Sequence, residues 1–178
     1  MGRVLVAMAT GLLVVGCNND PLPQAVIDGL PPENGAPSAQ HRPGQPCLVC
    51  HTSYEGAEPP LALGGTLYKL DAMAPGGLAP APSVLVTITD STGDLRNACT
   101  NAAGNFFIRK EDWPDLTYPL KVRAGSKSMN SIVGRDGSCA SCHKLPSADR
   151  PGTGAGRDSA GVVIIDEGDV DETCGGVP

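Results

Sequence analysis

Two copies of one pentapeptide, Cys47-Leu48-Val49-Cys50-His51 and Cys139-Ala140-Ser141-Cys142-His143, constrain this chain more than any other feature. Two thiols three positions apart, with an imidazole directly after the second, meet the needs of covalent haem. The sulfurs add to the two vinyl groups on one edge of a porphyrin, and the histidine turns to the iron. The spacing therefore makes Cys47 and Cys50 thioether anchors with His51 as an iron ligand, and Cys139, Cys142 and His143 a second set. Two c-type haems are the expected cofactors. Paired Cys-x-x-Cys units also suit one all-thiolate zinc site or two local disulfides. Neither needs the histidines, yet two of the three histidines in the chain stand directly after a pair.

That scarcity of histidine limits the second axial position on each iron. With His51 and His143 used, His41 is the one left, so the chain alone cannot give both haems two histidines. Methionine thioether is the usual substitute and raises the reduction potential. Met129 is the better placed, ten residues before Cys139 with Gly134 and Gly137 between; Met73 lies in a Gly/Pro-rich loop. The expectation is that His41 completes one haem and Met129 the other. For Met129 the competing reading is a packed strand side chain, and for His41 an exposed imidazole.

Residues 1–16 read as an export signal: Arg3 begins it, an apolar run through Val15 follows, and Cys17 closes it. The run falls short of the roughly 20 residues that span a bilayer. Val14-Val15-Gly16-Cys17 resembles the bacterial lipobox, which implies lipidation on Cys17. Asn18, where aspartate would favour the inner membrane, implies sorting to the outer membrane. A lipid-anchored place in the bacterial cell envelope suits haem attachment, which occurs outside the cytoplasmic membrane. Residues 17–46, rich in proline, glycine and small polar side chains, read as an extended tether.

The formal charge is −6, one unit more negative once Arg3 leaves with the signal. Nucleic acid is thereby a poor partner, and redox proteins with basic docking surfaces are favoured. Aromatic residues are only 3 % of the chain, so its own core is thin.

Between the motifs the pattern becomes short alternating segments punctuated by turns. Residues 65–70 are strand-like; Val86 and Ile88 alternate with Thr87 and Thr89; Asp90-Ser91-Thr92-Gly93 and Asn101-Ala102-Ala103-Gly104 read as turns. Further strands are expected over 95–100, 105–109, 116–124 and 127–133, and one over 162–165. This predicts a mainly β chain, a small antiparallel β-sandwich flanked by haem-binding loops and disordered tails. The expected organisation is a first haem-attachment segment over 47–60, the sandwich over 61–133, a second attachment segment and loop over 134–160, and a strand with an acidic tail over 161–178. Cys99 and Cys174, outside both motifs, read as a disulfide in an oxidising compartment, with free thiols as the alternative. Closing a loop of that length would stabilise by about 4 kcal/mol in the chain-entropy model. The acidic run after Ile165 lacks the spacing of a calcium loop and reads as a solvated face.

The run Val84-Leu85-Val86-Thr87-Ile88-Thr89-Asp90-Ser91-Thr92-Gly93, with Thr100-Asn101-Ala102-Ala103-Gly104-Asn105-Phe106, resembles the carboxypeptidase-regulatory or transthyretin-like (prealbumin-like) β-sandwich. Gly65-Thr66-Leu67-Tyr68 resembles its opening strand. The proline-rich insertion over 74–82 and Cys99 on a strand depart from that family. The resemblance implies a non-catalytic scaffold. The whole arrangement is similar to small dihaem c-type cytochrome-like bacterial lipoproteins, which implies cofactor and location but no substrate. Together these readings lead to an electron carrier and not an enzyme. Two other classes stay open: a small haem peroxidase or reductase, and a non-redox β-sandwich lipoprotein with disulfides or zinc.

Overall fold

The structure, a computed structural model, describes residues 29, 30, 33, 36, 38–52, 56–147 and 152–175. The signal over 1–16, Cys17 and most of the tether lie outside the described residues. Among the described residues no helix is long and apolar enough to cross a membrane.

The chain is mainly β, with two four-stranded sheets. The first is built on β1 (Leu61–Leu70), which pairs antiparallel with β2 (Leu78–Pro80) and β5 (Asn105–Arg109) and parallel with β8 (Val163–Ile164). The second runs β4 (Leu95–Cys99), β3 (Leu85–Thr89), β6 (Lys121–Ala124), β7 (Lys127–Ser128), antiparallel throughout. Alternation decides which face of β3 is inward: Val86 and Ile88 are fully buried, and register sets them opposite Ala98, Ala124, Arg96 and Val122. They meet Leu63, Leu67, Phe106 and Ile108 of the first sheet in one core, with Trp113 and Leu120 at its edge. Each such aliphatic side chain contributes about 1.5–3 kcal/mol by leaving water.

Turn chemistry separates the strands. Asp90 Oδ1 accepts from Thr92 Oγ1 at 2.7 Å and from the amides of Thr92 and Asp94. The Thr92 hydroxyl first, then these amides and that of Thr117, outweigh desolvation and hold the Asp90 carboxyl below the usual range. Asn101 Oδ1 accepts from the amides of Ala103 and Asn105, closing the turn before β5.

Several boundaries differ from the sequence expectation. β1 begins at Leu61, because Leu61 to Tyr68 are buried on both faces and show no alternation. β2 lies inside the proline-rich insertion. β6 and β7 are shorter than expected, since beyond Ser128 the pairing breaks into separate contacts, Met129 N donating to Val122 O and Val133 bridging Leu120. Residues 39–46, expected to end an extended tether, instead lie on the first sheet. Asn101 Nδ2 donates to Ala39 O, Asn105 Nδ2 to His41 O at 2.9 Å, and the Gly44 amide to Thr66 Oγ1 at 2.7 Å. A segment whose apolar side chains are only Ala39, Pro43 and Pro46 docks through its backbone polar groups.

The C-terminal segment ties the two sheets together. After β8 it bridges Val170 to Val84, donates Asp171 N to Ser83 O, and joins Cys174 to Cys99 of β4 in a disulfide with a Cα–Cα distance of 5.4 Å. The acidic run is part of this strap. Asp169 Oδ1 accepts from the Ser126 amide at 2.7 Å, and Asp166 pairs with Lys127 at 2.9 Å.

Candidate functional site

The two pentapeptides form the same local structure from different surroundings. Helix α1 (Cys47–Cys50) is one turn, closed by His51 N donating to Cys47 O at 3.0 Å. A 3-10 turn (Cys139–Ser141) does the same with His143 N donating to Cys139 O at 2.8 Å. One helical turn sets side chains three apart on a common face, so each cysteine pair presents its sulfurs together.

Each histidine is then fixed by a carbonyl from a returning segment. His51 Nδ1 lies 2.9 Å from Pro59 O, and His143 Nδ1 lies 2.7 Å from Gly161 O. A carbonyl only accepts, so Nδ1 carries a proton in both rings, and in the neutral imidazole Nε2 is then the nitrogen with the free lone pair. That is the tautomer a metal-ligating histidine needs, with its second nitrogen held by a backbone oxygen. In both cases the acceptor stands two residues before a strand on the first sheet, Pro59 before β1 and Gly161 before β8. Ser159 organises the second return, its hydroxyl donating to Cys142 O at 3.1 Å and accepting from the amides of Lys144 and Gly161. Pro59, Gly161 and Ser159 were not legible as functional residues, since backbone acceptors leave no sequence motif.

The motifs occupy opposite faces of β1. Strand side chains alternate between faces, and two adjacent glycines, Gly64 and Gly65, stand mid-strand. A Cβ on Gly64 would lie 3.2 Å from Cys47 Sγ; one on Gly65 would lie 2.7 Å from Cys139 Cβ and 3.1 Å from the buried Phe106 ring. Cys47 therefore sits on the outer face and Cys139 on the core face. The segment carrying Cys139 runs along β1, with Gly64 N donating to Gly137 O at 2.9 Å and Ser138 bridged to Gly64. Adjacent glycines inside a strand mark close approach of another group, and this was the readable signal.

Around the first motif is a cavity of about 340 Å³, lined by Cys47, Cys50, His51, His41, Pro59 and Phe107 among others. The rings of His41 and His51 are nearly parallel, 20° apart, with centroids 5.6 Å apart. His41 Nδ1 is buried without a hydrogen-bond partner, one of two such side-chain atoms among the described residues; the other is Ser138 Oγ. Leaving such an atom unpaired costs about 1–3 kcal/mol. Around the second motif is a larger cavity, about 1200 Å³, which touches Cys139, Cys142, His143 and Met129 and reaches core side chains such as Ile88 and Leu120. The structure thus brings His41 to His51 and Met129 to the cavity of His143. Met73 is 92 % exposed and lines neither cavity.

Burial pushes the Cys47 thiol up. It pushes Cys139 further, to about 12, with the charges of Cys47 and Asp136 adding to the effect. The four motif cysteines are not disulfide-bonded. Among the described residues no three or more His, Cys, Asp or Glu side chains are grouped to hold a metal ion. The described parts of the chain thus offer two separate thiol–thiol–imidazole sets and two cavities beside them. Comparison with known proteins finds no family model, no curated protein and no solved structure that matches this chain.

Proposed function

We propose that the protein is an exported, lipid-anchored dihaem c-type cytochrome that carries single electrons between redox partners in the bacterial cell envelope. The observation that carries this reading is the matched pair of Nδ1–carbonyl hydrogen bonds, His51 to Pro59 and His143 to Gly161. Two unrelated loops have no packing reason to fix two imidazoles in the same tautomer immediately after two Cys-x-x-Cys turns. The donor chemistry suits the group as well. Each motif opens on a cavity, and the unpartnered nitrogen of His41 lines the one beside His51.

When bound, haem supplies the one-electron Fe(III)/Fe(II) exchange. The chain's own residues do the rest. Cys47, Cys50, Cys139 and Cys142 would anchor the group by thioether and fix its orientation; His51 and His143 would offer Nε2 to the iron; His41 would complete the first site and Met129 the second. Phe106, Phe107, Ile88 and Leu120 line the cavities and exclude water. The acidic composition favours partners with basic docking surfaces, and Cys17 tethers the protein to the membrane by lipid.

The test is a haem-stained gel with intact mass on protein matured by a cytochrome c assembly system. Two porphyrin masses on the polypeptide are expected, and a mass with none leaves a β-sandwich binding lipoprotein instead. Optical spectra of His41→Ala and Met129→Ala then separate the ligands: each should alter one haem and spare the other. Vigorous peroxide turnover by the intact protein would move the reading from carrier to peroxidase.

A further inference from the structure

The two attachment turns are far apart in sequence and adjacent in space, and one dipeptide accounts for this. Gly64 and Gly65 point to opposite faces of β1. Neither has a side chain, and each vacated position is filled by a motif cysteine, Cys47 outside and Cys139 inside. Consecutive Cα atoms are 3.8 Å apart, so with the contacts at 3.2 Å and 3.0 Å from the two Cβ positions, Cys47 Sγ and Cys139 Sγ are no more than about 13 Å apart. The thiols feel each other electrostatically, as the effect of Cys47 on Cys139 records. Backbone pairing makes the spacing rigid: β1 is held by β5 on one edge and by Gly137, Ser138 and β8 on the other.

We propose that Gly64 and Gly65 are positioning residues that hold the two haem-attachment thiols back to back across a single strand, so that the haems form one electronically coupled pair. This rests on the dihaem reading above. With haem bound, Cys47, Cys50 and His51 would hold one centre and Cys139, Cys142 and His143 the other. This spacing would let an electron delivered at one site pass to the other, one centre oxidised by one electron as its neighbour is reduced by one, with no bond made or broken and no proton required. The first site lies on the outer face and the second opens through the larger cavity beside the core, so entry and exit are on different sides of β1. A back-to-back pair is a two-sided relay, whereas two distant haems would be independent carriers sharing a scaffold.

Circular dichroism in the Soret band tests the arrangement on the full chain carrying both haems. Two coupled chromophores give a couplet of opposite-signed bands, absent from the sum of spectra of Cys47→Ala/Cys50→Ala and Cys139→Ala/Cys142→Ala, which each retain one haem. A protein with two porphyrin masses whose spectrum equals that sum overturns the proposal. A polypeptide with no porphyrin mass overturns the dihaem reading itself, and intact mass distinguishes the two failures. Should the single-haem variants not fold, electron paramagnetic resonance of the oxidised intact protein serves instead. Two ferric centres held this close broaden and relax each other, and unbroadened signals from a two-haem protein overturn the pairing.

Discussion

For five residues the two Cys-x-x-Cys-His motifs are built alike, and beyond those residues they differ. Both close one turn on the first cysteine and both fix histidine through Nδ1 on a carbonyl. The first, however, lies outside β1 against a docked segment that brings His41, beside a cavity of about 340 Å³. The second is wedged against the core, beside about 1200 Å³ of space that Met129 lines. The short motif dictates attachment geometry, while the surroundings decide what the attached group experiences. A thioether ligand favours the less charged, reduced iron, so if Met129 serves the second site, that site is expected at the higher potential.

The strongest way to break this comparison is through the strap that follows β8, the strand into which Gly161 leads. The Cys99–Cys174 bond closes a separation of 75 residues, and Cys99→Ala/Cys174→Ala should lower stability by about 4 kcal/mol in denaturant unfolding. Local loosening should fall on the segment that supplies Gly161 O to His143. Equal disturbance of both haem spectra would show that the two sites are not separately supported.

A smaller effect is expected at the strand between them. Gly65→Ala puts a Cβ 2.7 Å from Cys139 Cβ, against backbone-anchored neighbours, and should cost about 1–3 kcal/mol. Gly64→Ala meets Cys47 Sγ at 3.2 Å and should cost under about 1 kcal/mol. Thermal unfolding of the two variants checks the order, and its reversal would mean that the outer motif is the tighter one.

The finest distinction is in the thiols of protein without haem. Cys139 is pushed up to about 12, above the unfolded value near 8.5. Its neutral form is favoured by folding, so that contribution is complete below about pH 8.5 and is lost as pH climbs towards about 12. Denaturant midpoints between pH 7 and 10 should therefore fall less steeply in Cys139→Ala. Alkylation at pH 8 should modify exposed Cys142 first and Cys139 last. A thioether does not titrate, so haem attachment should abolish this alkaline loss.

How much of this was legible depends on distance along the chain. β3 and β5 could be read because Val86 and Ile88 alternate with threonines and because residues 105–109 stand between clear turns. The first half of β1 could not, since Leu61-Ala62-Leu63-Gly64-Gly65 is covered on both faces and carries two residues that normally weaken strands. β2 was hidden by the prolines around it. The motifs were evident from five contiguous residues each. Their meeting at Gly64 and Gly65, and the docking of His41 through Asn105, depend on partners distant in numbering: Cys47 and Gly64 are 17 residues apart, Gly65 and Cys139 are 74, and His41 and Asn105 are 64. Composition carries no trace of such pairings, although the glycine doublet inside an apolar run was a signal that a neighbour had to come close.

The placing of Cys139 has a consequence for timing. Its side chain packs tightly on Gly65 and is only partly exposed, at the wall of the larger cavity, and burial pushes its thiol up, whereas thioether chemistry needs a reachable thiolate. Bonding of haem there should therefore be faster before β1 and the 137–139 segment close on each other than after. The second site would then set the pace of biogenesis: protein folded first without haem should complete its second attachment more slowly than a chain that meets haem while still open.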